Sequence, residues 1–408
     1  MSNPLQLSVV NFKKNAYIIV EGKHAECFYI LRTGKVRISK EVEVVEEEKG
    51  NLLGPGDFFG VVSTMSSHSH IETAQAVEDV SLIAVQQKQF GVLIEKNAPV
   101  AMKIIEQFSR RMRYLDEALG RLTNKASAEG DPEHLYNLAE YYAKQNQYNL
   151  AHYAYYHYLK LFPKGPSMQK AAERMTKIQP YSQAVFLDGS DTTFNRTYPK
   201  NTMIFAESMP GKELYIIQRG SVKISKLVGG GTEVLLAILK TGDIFGEMSL
   251  LENKPRSASA IAYEDAILMA VNKDNFARMV SSQPQMIARL TQLLAERLWF
   301  IYKQIANTLL SDHLGKMYDA LLIQLEKARV AIKAGESHTF DFGPKELISM
   351  VGLPLAEGNK AMRDLLQNPK IKTVDNRLVS TNVIEIFNQA SYFHKMQKLE
   401  KLRRQQGR

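Results

Sequence analysis

Short segments of alternating apolar and polar residues are followed, twice along the chain, by a long segment with helical spacing. In the second half, Leu214 to Ile224 alternates in this way, and three glycines at 229–231 separate it from another alternating run, Glu233 to Leu239. Alternation with a period of two residues, interrupted by glycine, is typical of paired antiparallel strands. These segments predict an antiparallel β-roll.

A long helix is predicted after each set of strands, from Val100 to about Ala126 and from Pro284 to about Leu310. An apolar stripe must be buried against another surface, and the second helix carries such a stripe. We therefore expect this helix to pair with its equivalent in a second chain, which would make the protein a homodimer. The residues of the stripe are Ile287, Leu290, Leu294, Leu298, Ile301, Ile305 and Leu309.

The roll and its helix occur twice in the sequence. The segment Phe28 to Lys40 resembles Leu214 to Lys226, which lies 186 residues later, and Gly60 has a counterpart at the same spacing, Gly246. A constant spacing without insertions indicates a duplicated domain. The two predicted copies are residues 1–128 and residues 183–311.

The segment between the two copies, residues 129–182, is rich in tyrosine and alanine. Its apolar and small residues fall at the spacings of a tetratricopeptide (TPR) repeat, which predicts one TPR-like helical hairpin. A further helix from about Ser167 to Ile178 would cover its exposed side. Two alternatives remain open here: a surface for a protein partner, or an aromatic-rich linker. The residues at repeat spacing are Leu135, Leu138, Ala139, Tyr142, Tyr148, Ala151, Tyr155, Leu159 and Pro163.

The C-terminal segment, residues 312–408, has the pattern of a winged helix-turn-helix, in which two helices joined by a tight turn precede a short hairpin. Its basic side chains after Ser391 are either phosphate contacts or the solvated end of a helix. With this segment, the chain as a whole is predicted to be an α+β multidomain protein. The predicted elements are helix Leu314 to about Ala334, strand Thr339 to Phe342, helix Pro344 to Val351, helix Leu355 to Leu366, and a hairpin through Asp375-Asn376.

Composition narrows the class of protein. The chain has 408 residues, more than one ordinary hydrophobic core accommodates. Cys27 is its only cysteine, which excludes an internal disulfide and a metal site built on thiolates. It has no run of about 18 apolar residues and no signal-peptide pattern, so we expect a cytoplasmic protein without a membrane partner. The formal charge of +9 fits a partner rich in phosphate, such as DNA.

Catalytic and metal-binding signatures do not occur in the sequence. It has no P-loop, nucleophile elbow, HExxH segment or kinase motif. His68 and His70 lie two residues apart, but no third ligand is near them, and a zinc site needs at least three protein ligands. We therefore expect neither an enzyme nor a metalloprotein.

The stretch from Gly246 to Ala258 combines the residue types that hold one compact phosphate. Gly246 lets the backbone approach a ligand closely, Arg256 can clamp a phosphate with two N–H groups, and Ser257 adds a hydroxyl. Glu247 fits beside an anion only if it accepts a hydrogen bond from a neighbouring hydroxyl, such as a ribose 2′-OH. Phosphate and ribose together indicate a cyclic nucleotide.

The second copy and the segment after it resemble the catabolite activator (CRP/FNR) family of bacterial regulators, from about Asn195 to Thr381. The resemblance implies a cyclic-nucleotide-binding roll, a dimerising helix and a DNA-reading winged helix, with cyclic AMP (cAMP) as the favoured ligand. The first copy resembles the same roll alone. The matching residues are Gly242-Asp243, Phe245-Gly246-Glu247, Arg256-Ser257-Ala258, Asn307, Asp312 and Gly315.

The family's ligand contacts can be placed on individual residues of this chain. The family reads the adenine base from its long helix, at positions that hold Ile301 and Tyr302 here, and only Tyr302 offers a polar atom. Phosphate would be held mainly by Arg256 and ribose by Glu247. The full set implied by the resemblance is Gly246, Glu247, Met248, Arg256, Ser257, Ala258 and Tyr302.

The first copy departs from this set. Val61 and His70 stand where the second copy has Glu247 and Arg256, and Ile71 replaces the serine. Valine cannot accept a ribose hydroxyl, and an ordinary histidine is mostly neutral at pH 7. The first copy is therefore predicted to be a degenerate domain that does not bind a nucleotide.

The predicted recognition helix also departs from the family. The family's base-reading segment begins Ser-Arg-Glu, whereas this chain has Pro354-Leu355-Ala356. Three functions stay open: a CRP-type transcriptional regulator, a cyclic-nucleotide-gated signalling adaptor whose winged helix binds protein, and a scaffold without ligand. If DNA is bound, the predicted contacts are Lys345, Lys360, Arg363 and Arg377.

Overall fold

A computed structural model describes residues 7–40, 51–122, 131, 133–184, 186, 194–228 and 232–406. These residues form two compact units. The first comprises residues 7–39 with the described part of 51–298, and the second comprises Lys40 with residues 299–406. The glycines at 229–231, Pro132 and Arg408 lie outside the described residues.

The first roll consists of two four-stranded antiparallel sheets, in the orders β1-β8-β3-β6 and β2-β7-β4-β5. Apolar side chains from both sheets meet between them, among them Leu31, Val36, Phe59 and Leu82. Its elements are β1 (Ser8–Phe12), β2 (Tyr17–Ile19), β3 (Cys27–Thr33), β4 (Val36–Ser39), β5 (Leu52–Leu53), β6 (Phe58–Phe59), α1 (Val61–Ser66), β7 (Thr73–Ala76), β8 (Val80–Gln86), α2 (Phe90–Lys96) and α3 (Ala98–Leu122).

The second roll repeats this topology, with sheets in the orders β14-β11-β16-β9 and β10-β15-β12-β13. Even the pairing register repeats: Tyr29 faces Phe59 in the first roll, and Tyr215 faces Phe245 in the second. The predicted duplication is confirmed. Its elements are β9 (Asn195–Tyr198), β10 (Met203–Phe205), β11 (Glu213–Arg219), β12 (Ser221–Val228), β13 (Thr232–Lys240), β14 (Ile244–Phe245), α7 (Glu247–Glu252), β15 (Ser259–Ala262), β16 (Ala266–Asn272), α8 (Lys273–Ser282) and α9 (Pro284–Thr308).

The tyrosine-rich segment between the rolls forms three helices: α4 (His134–Lys144), α5 (Tyr148–Leu161) and α6 (Met168–Ile178). Their apolar side chains share one core with residues of the second roll, including Met203, Met209 and Leu227. The Tyr142 hydroxyl also donates to Glu233 Oε1 at 3.0 Å. The predicted helices are present and cover the second roll, while their assignment as a TPR repeat stays a prediction.

The two long helices, α3 and α9, begin within two residues of their predicted starts, and α9 also ends within two residues of its predicted end. The predicted end of the first helix, near Ala126, lies outside the described residues. Most of the stripe on α9 is already buried within one chain: the exposed fractions of Ile287, Leu290, Leu294 and Leu298 are at most 1%, whereas Leu309, just after the helix, is 40% exposed. Our reason for expecting a homodimer was that this stripe lacked a partner, and that reason was wrong. The homodimer itself stays a prediction without this support.

Helix α3 of the first copy packs against α7 of the second. The Arg113 guanidinium donates to Glu252 Oε2 at 3.0 Å and to the Pro255 carbonyl at 3.2 Å. The Ser109 hydroxyl donates to the other Glu252 oxygen at 2.9 Å. The first roll's helix therefore lies against the phosphate-binding stretch predicted in the second roll.

The second unit contains the predicted helix-turn-helix and hairpin. The hairpin turn at Asp375 and Asn376 has φ angles of 47° and 60°, the left-handed conformation of a type I′ turn. Apart from the last part of α9, its elements are α10 (His313–Lys327), β17 (His338–Thr339), α11 (Pro344–Val351), α12 (Leu355–Leu366), β18 (Ile371–Val374), β19 (Arg377–Ser380) and α13 (Val383–Gln406).

Two sequence expectations for this unit need correction. Helix α10 ends at Lys327 rather than near Ala334, because Arg329 adopts a left-handed φ of 53°. The strand predicted from Thr339 to Phe342 covers only His338–Thr339, while α13 continues into the basic tail. Its Phe393 lies against Gly315, where an added Cβ would come within 2.8 Å of the ring. Glycine at 315 thus allows α13 to pack on α10.

Candidate nucleotide site in the second roll

The predicted phosphate-binding stretch begins where β14 ends and α7 starts. Gly246 lies between them with a φ of 78°, a left-handed conformation that favours glycine. A Cβ at this position would lie 2.6 Å from Arg256 Nη1 and 3.3 Å from the Phe205 ring. Gly246 is therefore required both by its backbone conformation and by the closeness of Arg256.

The Arg256 side chain is turned into the domain. Its Nη1 donates to the Gly246 carbonyl at 2.7 Å and to the Ser249 hydroxyl at 2.6 Å, and its Nη2 donates to the Glu213 carbonyl at 2.7 Å. The guanidinium also lies 4.0 Å from the centre of the Phe205 ring. Only 6% of the residue is exposed. Arg256 thus holds the start of α7 against β11.

Arg256 was predicted to present its planar end to a phosphate. In the structure, most of that end is bonded to protein, whereas Nε is buried and has no hydrogen-bond partner among the described residues. A phosphate contact with Nη1 or Nη2 would compete with the present bonds. The residue is in place beside Gly246, but its predicted role as an anion clamp stays a prediction.

Glu247 is almost completely buried, with 1% of the residue exposed. Its Oε1 accepts a hydrogen bond from Arg297 Nη1 at 3.0 Å, and Arg297 Nη2 donates to the Ile244 carbonyl at 2.6 Å. Arg297 lies on α9, so one ion pair joins the predicted ribose contact to the long helix. Sequence reasoning missed Arg297, although Arg111 stands 186 residues before it and could have shown that both copies keep this arginine.

The remaining predicted ligand contacts are divided between the two units. Ser257 and Met248 are half-buried, and Ala258 is buried beside them. Tyr302, the predicted base contact, belongs to the second unit, where its hydroxyl accepts a hydrogen bond from Lys40 Nζ at 3.0 Å. The structure therefore groups the stretch from Gly246 to Ala258, and the contribution of Tyr302 stays a prediction.

A second buried carboxylate, Glu207, lies at the contact between the roll and the tyrosine-rich helices. Its Oε2 accepts from the Leu227 N–H at 3.1 Å and lies 3.1 Å from His134 Nε2. Only 1% of Glu207 is exposed. This residue was not predicted as functional, because its partner in α4 is distant in sequence.

Helix α3 adds a further acidic group to this region. Burial raises the pKa of Asp116 to about 6, and the nearby carboxylate of Glu247 acts in the same direction. The cations Lys226, Arg297 and Arg113 oppose the shift. A carboxylate of the first copy thus belongs to the same charge cluster as the ion pair between Glu247 and Arg297.

Replacing Asp116 with asparagine should change how stability depends on pH. Because the pKa of Asp116 is raised on folding, its favourable contribution is complete below about pH 4 and is lost as the pH rises through about 6. We expect Asp116→Asn and the unchanged protein to have similar free energies of unfolding near pH 4. Above pH 7 the variant should be more stable by about 3 kcal/mol. Urea unfolding between pH 4 and 8 measures this, and a difference independent of pH would contradict it.

The predicted DNA contacts are exposed on the second unit. Lys360 and Arg363 lie on the solvent side of α12, Lys345 lies in the first turn of α11, and Arg377 begins β19. Glu357 is also exposed, one turn before Lys360. The predicted recognition helix therefore presents charges of both signs.

Among the described helices, none is long and apolar enough to cross a membrane. The part of the chain that the structure describes contains no group of three His, Cys, Asp or Glu side chains that could hold a metal ion.

Comparison with known proteins shows which domain family the two rolls match. A family model of the cyclic nucleotide-binding domain matches residues 9–97 and 195–283, which are the two rolls. The two rolls thus match the cyclic nucleotide-binding domain, and such domains imply a cyclic nucleotide as effector. Proteins that contain this domain are typically regulatory rather than enzymatic.

More specific similarity is distant and covers only part of the chain. The CRP-like cAMP-activated global transcriptional regulator of Mycobacterium tuberculosis is 29% identical over 41% of this chain and 75% of its own length. The cyclic AMP receptor protein of Thermus thermophilus is 40% identical over 25% of this chain and 48% of its own. A cAMP-dependent protein kinase regulatory subunit of Aspergillus niger is 31% identical over 28% of this chain and 26% of its own length. The chain is therefore related to both CRP-type regulators and kinase regulatory subunits.

Proposed function

We propose that this protein is a cyclic-nucleotide-responsive transcriptional regulator. A nucleotide, cAMP, binds in the second roll, and α9 transmits its binding to a winged-helix domain that binds DNA. The ion pair between Glu247 and Arg297 is the observation that carries this proposal, because it joins the predicted ribose contact to α9. The first two relatives support the choice of cAMP, since their names describe a cAMP-activated regulator and a cAMP receptor.

The coupling follows from competition for a small number of buried groups. A ribose hydroxyl that donates to Glu247 shares this acceptor with Arg297, and a phosphate near Arg256 adds a negative charge to a cluster that already contains Asp116. Each contact changes the forces that hold α9 against α7. A ligand shifts the equilibrium between two states of the protein only if it binds the two states with different affinities. Each tenfold change in the equilibrium constant requires an affinity difference of about 1.4 kcal/mol.

DNA binding rests on the second unit alone. The order of helices and hairpin, and the exposure of Lys360 and Arg363 on α12, support a helix that contacts a DNA groove. Phosphate contacts release counterions from DNA. The number of phosphate contacts can therefore be measured from the salt dependence of the affinity.

The test combines ligand binding with DNA binding. Calorimetry on the full chain should show one cAMP site, and a gel shift should show sequence-dependent DNA binding that cAMP strengthens. Arg297→Gln should reduce the effect of cAMP on DNA binding to a few-fold at most, because the ion pair between Glu247 and Arg297 of α9 is lost. An undiminished effect of cAMP in this variant would contradict the proposed coupling.

Lys360→Ala should weaken DNA binding and lower the slope of log affinity against log salt by about one unit if Lys360 contacts a phosphate. If Lys360 contacts a base instead, the substitution should remove about 1 to 3 kcal/mol of discrimination at one base pair of the site and leave discrimination at the other base pairs unchanged. The matched control is Lys164→Ala, which removes an exposed lysine between α5 and α6 in the other unit. Equal effects of the two substitutions would show that α12 is not the DNA contact.

Exposed Glu357 favours a second candidate function, in which the winged helix binds protein instead of DNA. A carboxylate in the first turn of α12 would repel DNA phosphates. The protein would then be a cyclic-nucleotide-gated adaptor. A DNA complex that is independent of sequence and disappears at about 200 mM salt would support this candidate. Its partner surface would lie on the second unit, because the apolar residues of the tyrosine-rich helices are buried on the roll.

A further inference from the structure

The first roll contains a carboxylate of its own chain at the position that corresponds to the phosphate-binding stretch. Glu72 Oε1 accepts a hydrogen bond from the Gly60 N–H at 2.9 Å, and 8% of Glu72 is exposed. Gly60 is the counterpart of Gly246 and has nearly the same φ, 76° against 78°. The counterpart of Glu72 in the second roll is Ala258, which has no polar side chain.

The arginine of the long helix is kept in both copies, but its carboxylate partner has moved. Arg297 on α9 pairs with Glu247, whereas its counterpart Arg111 on α3 has a guanidinium nitrogen 4.0 Å from Glu72 Oε2. Val61 stands at the position of Glu247 and cannot pair with an arginine. In each roll, one carboxylate connects the start of the short helix to the long helix, but it comes from a different position.

The remaining member of the first site is His70, which replaces Arg256. Only 5% of His70 is exposed, and its Nδ1 has no hydrogen-bond partner among the described residues. The ring faces Gly60, since its Cε1 lies 3.6 Å from where a Cβ of that glycine would be. Burial lowers the pKa of His70, although Glu72 opposes this shift. A neutral imidazole thus lies beside the carboxylate, and no permanent cation replaces Arg256.

We propose that Glu72 is the resident anion of the first roll. Its carboxylate takes the N–H group that a ligand phosphate would use, and its charge repels a second anion at the same place. Through Arg111 it also ties the roll to α3, as the ion pair of Glu247 ties the second roll to α9. The first roll is therefore permanently occupied by its own chain, which leaves the second roll as the site that responds to nucleotide.

The test restores the residues of the second roll in the first, with and without Glu72, in the full chain. The double variant Val61→Glu/His70→Arg keeps Glu72, and the triple variant adds Glu72→Ala. Calorimetry with cAMP should show one more site per chain in the triple variant than in the unchanged protein. The affinity of the added site should be at least about tenfold weaker, or undetectable, when Glu72 is kept.

These outcomes separate the inference from the proposed function. If the second roll bound no cAMP, the unchanged protein would show no site, yet the triple variant should still gain one. Equal binding by the double and triple variants would show that Glu72 does not occupy the site and would overturn the inference. A triple variant that keeps its unfolding midpoint and gains no site would overturn it as well.

A second measurement needs only one substitution and inorganic phosphate as the probe. In Glu72→Ala the Gly60 N–H is open to an external anion, so about 20 mM phosphate should raise Tm by a few degrees relative to chloride at equal ionic strength. In the matched variant Glu72→Gln, the amide oxygen can still accept from Gly60, and Tm should respond as in the unchanged protein. Equal phosphate responses of the two variants would overturn the inference.

Discussion

Replacing Arg256 with alanine should destabilise the second domain by about 3 kcal/mol and weaken cAMP binding at least about tenfold. The guanidinium satisfies the carbonyls of Gly246 and Glu213 and the hydroxyl of Ser249 inside the domain. Alanine leaves these acceptors buried without a donor, and each unsatisfied group costs about 1 to 3 kcal/mol unless water enters. The loss of positive charge accounts for the weaker binding of an anionic ligand.

The measurements are urea unfolding of the full chain and calorimetry with cAMP. Arg174→Ala is the control, because the Arg174 side chain is largely exposed and its contact with Glu140 is 3.5 Å long. We expect that control to change stability by less than about 0.5 kcal/mol. Arg256→Lys should recover only part of the loss, since one ammonium cannot reproduce the spacing of the guanidinium donors. An unchanged unfolding midpoint in Arg256→Ala would show that these bonds do not stabilise the domain.

Replacing Gly246 with alanine should also cost several kcal/mol. The backbone at φ 78° costs a non-glycine residue about 1 kcal/mol, and the added Cβ would lie 2.6 Å from Arg256 Nη1. To relieve this contact the guanidinium must move, which disturbs its bonds to the Gly246 carbonyl and to Ser249. We expect a total loss of about 2 to 4 kcal/mol, together with a weakened cAMP site.

Gly242→Ala separates the two causes. Gly242 has a φ of 91°, but its added Cβ would meet no atom within 4 Å. This control should therefore show the backbone cost alone, about 1 kcal/mol, and should keep cAMP affinity. Similar losses in the two variants, measured by urea unfolding, would mean that contact with Arg256 contributes little.

Local pattern was sufficient for most elements of the fold. The constant spacing of 186 residues predicted two equal rolls, and the sheets pair in the same order and register. Helices α11 and α12 begin and end where proline, glycine and apolar spacing placed them. These predictions succeeded because turn residues and side-chain periodicity determine local structure over a few residues, so a short segment of sequence contains the information.

Partners distant in sequence could not be predicted in this way. The stripe on α9 showed that this helix must be buried, but not that a single chain could bury it. Glu247 and Arg297 are 50 residues apart, and Arg113 reaches Pro255 over 142 residues. A periodic pattern identifies an apolar face, yet it contains no information about which other face covers it.

The sequence by itself determined the duplicated roll, the glycine at the start of α7 and the difference between the copies at Glu247 and Arg256. Only the tertiary structure decided that Arg256 points inward, that Arg297 holds Glu247, and that Glu72 takes the corresponding place in the first roll. The reason is physical: hydrogen bonds and ion pairs depend on positions within about 3 to 4 Å. Those positions exist only after the sheets and long helices have packed.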